Sequence, residues 1–423
     1  MVLLQRYLSG KAREGWNERW GRLPDALVAR AGGRPRVWVH AVSAGEVVAA
    51  VPIVREIRDL MAGYDILFSV GTPAGMEMAE QQARPLVDQL FFFPVDLPWI
   101  AKSVVRRINP SVFVSLESEL WPNVLHELKR CKCATIMVNG RISERNYSRA
   151  SSLAKGLFRS MLSKVDRLLV QSEADAERIR ELGGSRIADR VRVFGNSKFD
   201  QEIGLLSARQ TADLRAQLKF PPDVPIFVAG STRSSEEEAE VIRAYLLMRA
   251  EVESLCLLIA PRQIDRAGEL AEAMAEAGLE PVRRTEVESA GAVRHMILDT
   301  MGELANVYAI ATFAFVGNSF EPVVKGGGQN LLQPLAHGKP VFFGPKTATI
   351  RSEVQLAAQS GVGFEVQSAA DLARQGLNLL RNDALRAEIE GRATTLIASQ
   401  RGISRRYAEA VADLAGTLSD TIL

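Results

Sequence analysis

FAFVGNSFEPVVKGGGQNLLQPLAHGKPVFFGP, residues 313–345, carries the clearest fold signal in this sequence. It opens with an apolar run over 313–317 that has the length and composition of a buried strand. Three glycines follow at 326–328, then a helix-like segment over 330–336 and a second apolar strand over 341–343. This order predicts an α/β sheet whose glycine loop and helix N-terminus bind a phosphate, because glycine lets the backbone approach and a helix end carries free N–H groups. The alternative is that the glycines only turn the chain.

Length and composition are those of a two-domain globular protein. The 423 residues are too many for one ordinary domain, and 47% of them are apolar while 24% are charged. The formal net charge of +2 does not indicate nucleic acid binding. Three cysteines without a disulfide framework fit a reducing cytoplasm, and the four histidines lack metal-ligand spacing. No Asp-x-Asp pair is present either, so we expect neither a metal nor a cofactor.

The first 36 residues are basic and carry aromatic side chains. Eight basic and three acidic residues give this stretch a net charge of +5, and Trp16 and Trp20 lie within it. Such a segment can bind an anionic membrane surface, although a solvated basic tail is the alternative. No apolar run reaches the roughly 18 residues of a membrane span, and no signal peptide is recognisable. We therefore expect a peripheral protein without a transmembrane helix.

Strand-like and helical runs alternate along both halves of the chain, which predicts two doubly wound, largely parallel sheets. The predicted strands cover 37–40, 66–70, 90–93, 112–116, 135–138, 168–170 and 191–194 in the first half, and 226–229, 255–259, 281–282, 296–298, 313–316, 341–343 and 363–366 in the second.

The alternation lapses in a polar, proline-containing stretch, and we place the boundary between two domains there. The predicted organisation is a first Rossmann-like domain over 1–206, a linker over 207–225, a second Rossmann-like domain over 226–395 and a C-terminal helix over 396–423 that packs back on the first domain. Two such Rossmann-like domains would face a central cleft, with ligands at the carboxyl ends of the strands.

Carboxylates follow two predicted strands of the first half. Glu46 comes after Ser43 and Gly45 in a turn at the end of the first strand, where a carboxylate can take a proton from a hydroxyl. Glu117 and Glu119 follow another strand directly. The alternative is that these carboxylates only favour the starts of the helices that follow, through the helix dipole.

Cations also stand at strand ends of the first half. Arg141, with Ser143 and Arg145 close by, follows one strand, and Lys198 follows another. Such cations suit phosphate or carboxylate oxygens, and solvated surface charge is the alternative.

The second half places groups that favour phosphate at its strand ends. Arg233 follows the first strand of this half, Pro261 and Arg262 follow the second, and the turn 299–304 leads from a strand to a helix. Acids in the first half and phosphate-binding groups in the second fit transfer between a nucleotide sugar and an acceptor hydroxyl.

These motifs, in this order, resemble the Kdo transferase family, which attaches 3-deoxy-D-manno-octulosonic acid (Kdo) to a lipid A precursor. The resemblance extends from about Asn17 to the C-terminal region. The resembling stretches are ERWG at 18–21, HAVSAGE at 40–46, PVDLP at 94–98, ESELWPN at 117–123, NGRIS at 139–143, GNSKFD at 195–200, APR at 260–262, DTMGEL at 299–304 and FVG at 315–317.

The resemblance implies a GT-B fold and an inverting, metal-independent transfer from CMP-Kdo at the cytoplasmic face of the bacterial inner membrane. It implies that Glu46 is the general base and that Glu117 and Lys198 stabilise the transition state. The resemblance and the strand-end residues described above together define two expected sites. The expected donor site comprises Arg233, Pro261, Arg262, Met301, Gly302, Glu303, Gly327, Gly328, Asn330, Leu331, Leu332 and Gln333. The expected acceptor side comprises Ser43, Gly45, Glu119 and Arg141.

The sequence departs from the family pattern at three places. A carboxylate expected to bind the nucleotide ribose is replaced by Gln333, and a histidine is replaced by Gln263. The N-terminal membrane helix of the family is also missing. These differences leave two other functions open: a GT-B glycosyltransferase with another nucleotide sugar or a non-lipid acceptor, and a catalytically weak binding protein.

Overall fold

A computed structural model describes residues 14–28, 33–142, 152–201, 203–323 and 327–419. The chain divides into two compact units. The first consists of the residues up to Gln201 together with those from Gln400 onward, and the second consists of the residues between them.

The first unit is built on a seven-stranded parallel sheet. Its strands are β1 Arg36–Ala41, β2 Asp65–Val70, β3 Gln89–Phe92, β4 Val112–Leu116, β5 Ala134–Gly140, β6 Arg167–Val170 and β7 Val191–Val193. Their order in the sheet is β3-β2-β1-β4-β5-β6-β7. The central strands β1 and β4 are buried along their whole length, as expected when helices cover both faces of a parallel sheet.

Helices connect these strands. They are α1 Trp16–Arg19, α2 Asp25–Val28, α3 Ala44–Leu60, α4 Pro73–Gln82, α5 Pro98–Ile108, α6 Pro122–Arg130, α7 Ser152–Leu162 and α8 Glu173–Gly183. Ser43, Thr72 and Ser172 cap three of them by accepting a hydrogen bond from a backbone N–H in the first turn. The helix that Thr72 caps, α4, begins with proline, as do α5 and α6, and the missing N–H of proline costs nothing at a helix start.

The second unit repeats this architecture with a different strand order. Its strands are β8 Ile226–Thr232, β9 Cys256–Pro261, β10 Pro281–Arg283, β11 His295–Ile297, β12 Phe313–Val316, β13 Val341–Phe343 and β14 Gly363–Glu365. They are parallel and follow the order β10-β11-β9-β8-β12-β13-β14. The helices are α9 Ala208–Gln217, α10 Ser235–Arg249, α11 Ala267–Glu276, α12 Leu304–Val307, α13 Leu332–Ala336, α14 Arg351–Gln359, α15 Ala369–Arg381 and α16 Asp383–Ser399.

The last helix, α17 Ile403–Ser419, belongs to the first unit and packs on α3. Its Tyr407 side chain is buried in the core formed by α3 and one face of the first sheet. The Tyr407 hydroxyl donates to the Gly195 carbonyl at 2.7 Å, and the Asp200 carboxylate accepts from Gly402 and Ser404 N–H at the start of the helix.

The stretch 207–225, expected to be a linker, contains α9 and lies in the second unit. Ser207 and Gln210 form a reciprocal capping box, in which each side chain accepts the backbone N–H of the other. This capping stabilises a helix in a stretch whose polar residues and prolines suggested a connection. The units accordingly divide at Gln201 rather than at residue 206.

The strand prediction is confirmed: all fourteen predicted strands overlap an observed strand, and both sheets are parallel. In each sheet the chain first adds strands toward one edge and then continues toward the other edge. This reversal falls between the neighbouring strands β1 and β4 in the first sheet and between β8 and β12 in the second. The carboxyl ends of such strand pairs are where open α/β sheets bind ligands.

Candidate active site

Glu46 lies in the first turn of α3, directly beyond the carboxyl end of β1. Its Oε1 accepts the Ser43 hydroxyl at 2.9 Å, and its Oε2 accepts the Val42 N–H at 2.8 Å. The Ser43 oxygen in turn accepts the Glu46 N–H at 3.4 Å. The sequence produces this arrangement because Ser43 is the N-cap of α3 and Glu46, three residues later, reaches back to the residues just before the helix. Both carboxylate oxygens are therefore held in one orientation at the reversal point of the sheet.

The environment of Glu46 increases its affinity for a proton. The residue is only 9% exposed. Burial raises the pKa of Glu46, and the negative charge of Glu117 raises it further, while the hydrogen bonds from Val42 and Ser43 oppose the rise. A carboxylate with a raised pKa is a stronger base, so this geometry suits proton removal from a hydroxyl.

Glu117 lies at the matching position beyond β4, the neighbour of β1. It has a positive φ of 53°, which is unfavourable for a residue with a side chain. Its N–H donates to the Val138 carbonyl at 3.1 Å, and its Oε2 lies 3.0 Å from Nε of Arg141. The strained turn and the ion pair together fix the Glu117 carboxylate near the end of the sheet.

Glu119 is a third carboxylate of this group. Burial raises the pKa of Glu119 to about 8, and the charges of Glu46 and Glu117 contribute to the rise. Glu119 is therefore mostly protonated at neutral pH. In that state it can donate a hydrogen bond, which Glu46 and Glu117 cannot do when ionised.

Lys198 is positioned by the loop that follows β7. Its N–H donates to the Asn196 side chain, and the N–H of Ser197 donates to Oδ1 of Asn139, both at 3.0 Å. The Ser197 hydroxyl donates to the Ala49 carbonyl of α3 at 2.8 Å. The lysine loop is therefore anchored to β5 and to the helix that carries Glu46. These anchors join residues distant in sequence, which explains why local patterns did not reveal them.

His40 is a neutral core residue of β1. Its ring stacks on Phe93 with centroids 3.7 Å apart, and Nδ1 lies 3.1 Å from Oγ and from the carbonyl of Ser69. Complete burial lowers the pKa of His40 to about 3, so the ring carries no charge at neutral pH.

Two motifs of the first half have structural roles that the sequence did not reveal. The Asp96 carboxylate accepts the N–H groups of Asn123 and Val124 and thereby caps α6, which follows the glutamates. The Glu18 carboxylate accepts the Phe92 N–H at 2.6 Å and fixes the start of the described chain to β3.

In the second unit, the space between the ends of β8 and β12 is organised by the Glu237 carboxylate. It accepts four backbone N–H groups, from Arg233 at 3.1 Å and from the residues Asn318, Ser319 and Phe320 at 2.8, 2.9 and 3.1 Å. Local sequence patterns do not reveal this role, because three of the four N–H groups lie 81–83 positions away along the chain.

The turn after β11 carries three of the predicted donor residues. Met301 is 71% exposed, and Gly302 has a positive φ of 85°, a conformation that glycine adopts readily. The Glu303 carboxylate lies 2.8 Å from Nε of Arg284. Glu303 is therefore part of an ion pair, and its role at the donor stays a prediction.

The glycine loop is shaped by close packing. Gly327 and Gly328 have φ values of 78° and 88°, and a Cβ atom on Gly327 would lie 2.1 Å from the Lys346 carbonyl oxygen. The N–H of Gly328 donates to the Asn318 carbonyl at 2.5 Å. Only glycine fits at these two positions. Close packing therefore explains part of the glycine run that the sequence analysis linked to phosphate binding.

The helix expected from residue 330 begins two residues later and has only five residues, as α13. Asn330 precedes it and accepts the Leu332 N–H at 2.8 Å with its side chain. Leu331 and Leu332 are buried, whereas Gln333 is partly accessible. The Asn330 side chain therefore occupies the Leu332 N–H, one of the helix-start N–H groups that were expected to be free to bind a phosphate.

Each unit collects its predicted residues at the carboxyl edge of its sheet. Ser43, Gly45, Glu46, Glu117, Glu119, Arg141 and Lys198 lie there in the first unit, and Arg233, Pro261, Arg262, Met301, Gly302, Glu303, Gly327, Gly328, Asn330, Leu331, Leu332 and Gln333 follow strand ends of the second. Gly326, Ser143, Arg145 and the basic residues before Glu14 lie outside the described residues. Among the residues that are described, no three His, Cys, Asp or Glu side chains form a metal-binding group.

Comparison with known proteins identifies the family. The sequence profile of 3-deoxy-D-manno-octulosonic-acid transferase (kdotransferase) matches residues 14–201. The 3-deoxy-D-manno-octulosonic acid transferase of Bordetella pertussis is 30% identical over 414 residues, which cover 94% of this chain and 93% of that protein. The chain belongs to the Kdo transferase family. This result confirms the resemblance and the expected enzyme class, a glycosyltransferase.

Another relative of this Kdo transferase family member is longer. The bifunctional glycosyltransferase/methyltransferase of Fusobacterium nucleatum is 33% identical over 342 residues, 80% of this chain, and the chain spans about half of it, 51%. A solved glycosyltransferase structure from Rickettsia africae has a TM-score of 0.60 at 12% identity and covers 91% of this chain and 99% of its own. That likeness concerns the fold, and it confirms the expected GT-B architecture.

Proposed function

We propose that this Kdo transferase family member transfers Kdo from CMP-Kdo to a hydroxyl of a lipid A precursor, with inversion and without a metal. The observation that carries the proposal is the Glu46 carboxylate, fixed by Ser43 and Val42 at the reversal point of the first sheet with a raised pKa. A single fixed base is what direct displacement at the sugar requires.

In the proposed reaction, Glu46 accepts the proton of the acceptor hydroxyl. The hydroxyl oxygen forms a bond to the anomeric carbon of Kdo from the face opposite the phosphate. The bond between that carbon and the phosphate oxygen breaks, and CMP leaves with the electron pair. Because the attack and the departure occur on opposite faces, the anomeric configuration inverts.

The other charged residues of the first unit support this chemistry. Lys198 supplies a cation that stabilises negative charge on the leaving phosphate without a metal. The ion pair between Glu117 and Arg141, 3.0 Å long, keeps the Glu117 carboxylate in place while positive charge develops on the sugar. Protonated Glu119 donates a hydrogen bond on the acceptor side.

The proposed donor site lies in the second unit. Arg233 and Arg262 bind anionic groups, and the turn that contains Met301, Gly302 and Glu303 contacts the nucleotide. Gln333 accepts one hydrogen bond from a ribose hydroxyl. Since Gln333 is neutral, this hydrogen bond lacks the contribution of charge that a carboxylate provides.

We also propose that the protein acts as a peripheral protein at the cytoplasmic face of the inner membrane. No helix of the described residues is both long and apolar enough to cross a bilayer. Trp20 and Trp99 are 41% and 65% exposed, and Lys102 and Arg106 are exposed on the same helix as Trp99. Exposed tryptophans beside basic residues suit an anionic lipid surface.

Mass spectrometry tests the proposed reaction. Tetraacylated lipid A precursor is incubated with the protein and freshly generated CMP-Kdo, since the activated sugar is short-lived. We expect a gain of one or more Kdo units, and none with Glu46→Gln. No gain with the unchanged protein, while a known transferase is active in parallel, would contradict the proposal.

A different nucleotide sugar or a non-lipid acceptor is the second candidate function. Gln333 and Gln263 favour it, because both replace groups of the family pattern on the donor side. A panel of nucleotide sugars and acceptors, analysed by the same mass measurement, distinguishes the two functions.

A further inference from the structure

Arg233 and Arg262 extend from neighbouring points at the edge of the second sheet. Each follows its strand directly, and the last strand residues, Thr232 of β8 and Pro261 of β9, are paired with each other beyond a register shift that follows Gly230. The Arg262 N–H donates to the Thr232 carbonyl at 2.8 Å, so the pairing continues into the two arginines. The two cations therefore lie side by side, next to the strand at which the winding of the sheet reverses.

Two carboxylates that follow Arg233 closely in the chain, those of Glu237 and Glu238, already have other hydrogen-bond or ion-pair partners. Glu237 accepts four backbone N–H groups, as described above. Glu238 accepts the Thr232 hydroxyl at 2.8 Å and is paired with Arg266 at 2.8 Å. Within the described part of the chain, neither Arg233 nor Arg262 forms an ion pair with a carboxylate.

Arg233 also has an unused donor. Its Nε is buried and has no hydrogen-bond partner among the described residues. Burial lowers the pKa of Arg233, and the positive charge of Arg262 lowers it further. A buried guanidinium N–H without an acceptor is unfavourable, and so are two adjacent like charges. An anionic ligand at this position removes both disadvantages.

The donor in the function proposed above carries two negative groups, and this inference rests on that function. The phosphodiester of CMP-Kdo has one negative charge and the sugar carboxylate has another. The family resemblance implies that the segment with Arg262 holds CMP, so in this proposal Arg262 binds the phosphate. We propose that Arg233 binds the sugar carboxylate and thereby selects donors with an acidic sugar. A guanidinium suits this task because it binds a carboxylate through two parallel hydrogen bonds.

Calorimetry on the full chain tests the proposal with two probes, CMP and a hydrolytically stable phosphonate analogue of CMP-Kdo. We expect Arg233→Gln to weaken binding of the analogue at least tenfold and to change the Kd for CMP less than twofold. Arg262→Gln should weaken both probes. Arg243→Gln is the matched control, because Arg243 is exposed on α10 and pairs with Glu240. It should change neither.

Three results would overturn the proposal. Equal weakening of both probes by Arg233→Gln would assign Arg233 to the phosphate. No weakening of either probe would remove it from the donor site. An analogue that binds the unchanged protein no more tightly than CMP would show that the carboxylate is not recognised. Failure of the proposed reaction is distinct, since binding of the analogue requires no transfer to lipid A precursor.

Discussion

Ser43 and Glu46 are joined by two hydrogen bonds: the Ser43 hydroxyl donates to Oε1 of the Glu46 carboxylate at 2.9 Å and accepts the Glu46 backbone N–H at 3.4 Å. One serine thus caps α3 and orients the proposed base. The hydrogen bond favours the ionised carboxylate and keeps the pKa of Glu46 lower than burial alone would set it.

Replacing Ser43 should therefore change the pH profile as well as the stability. We expect Ser43→Ala to lower the free energy of unfolding by about 1 kcal/mol, the usual cost of a lost cap. The pKa of Glu46 should rise, so the acid limb of kcat/KM should move to higher pH. Ser172→Ala is the matched control, because Ser172 caps α8 and donates to Asp175 in the same way. Ser43→Thr, which keeps a hydroxyl, should restore the original pH profile. An unchanged pH profile in Ser43→Ala, or the same profile in Ser43→Thr as in Ser43→Ala, would count against the positioning role.

Glu46→Gln should abolish transfer while CMP binding persists. The amide keeps the size of the side chain but cannot accept a proton, and general bases contribute about 100-fold or more to a rate. Turnover and calorimetric titration with CMP provide the two measurements. Glu77→Gln, on the exposed face of α4, serves as the control and should keep full activity. Full turnover in Glu46→Gln would refute the base assignment.

Glu119 should make the protein less stable as the pH rises. Its folded pKa, about 8, lies above the ordinary value of 4.5, so the folded state holds the proton more tightly than the unfolded state does. The associated stability is fully present below pH 4.5 and is lost between about pH 4.5 and 8. We expect Glu119→Gln, which stays neutral, to raise Tm relative to the unchanged protein at pH 8 but not at pH 4.5. The exposed Glu80 provides a control as Glu80→Gln, and a Tm difference independent of pH would contradict the expectation.

Glu237 should be essential for the second unit. Gln cannot accept four N–H groups with one oxygen, and its amide N–H₂ would face backbone donors. Each unsatisfied buried N–H costs about 1–3 kcal/mol, so Glu237→Gln should lower the free energy of unfolding by about 3 kcal/mol. CMP binding should weaken as well, because the segment 318–320 loses its anchor. The neighbouring Glu236 is exposed, and Glu236→Gln should change neither quantity in denaturant unfolding and calorimetry.

Gln333→Glu should strengthen CMP binding. A carboxylate makes a charge-assisted hydrogen bond to a ribose hydroxyl, which adds about 1 kcal/mol, or about fivefold in Kd. Gln329→Glu, four positions earlier in the loop before α13, controls for added negative charge. Equal or weaker CMP binding in Gln333→Glu would mean that this residue does not contact the ribose.

Residue patterns within one strand or helix were enough to predict the sheets and the edges where the candidate residues lie. The run Val112–Leu116, for example, is fully buried, and its β-strand was found with the predicted bounds. Contacts between distant residues were not predictable in this way. Glu237 binds a segment more than 80 positions away, and the loop with Lys198 is anchored by the hydrogen bond from the Ser197 N–H to Asn139. Local composition also misled at α9, where a capping box outweighs the surrounding prolines.

Because α17 belongs to the first unit, the two ends of that unit are synthesised at different times, before and after the second unit. The Lys198 loop and the helix that carries Glu46 both pack with a segment that follows residue 400, through Asp200, Gly195 and Tyr407. Proteins are made from the N-terminus, and domains generally fold as they emerge. Here the ribosome must translate the whole second unit before the first unit has its helix α17. The first unit to begin folding is therefore the last to be completed.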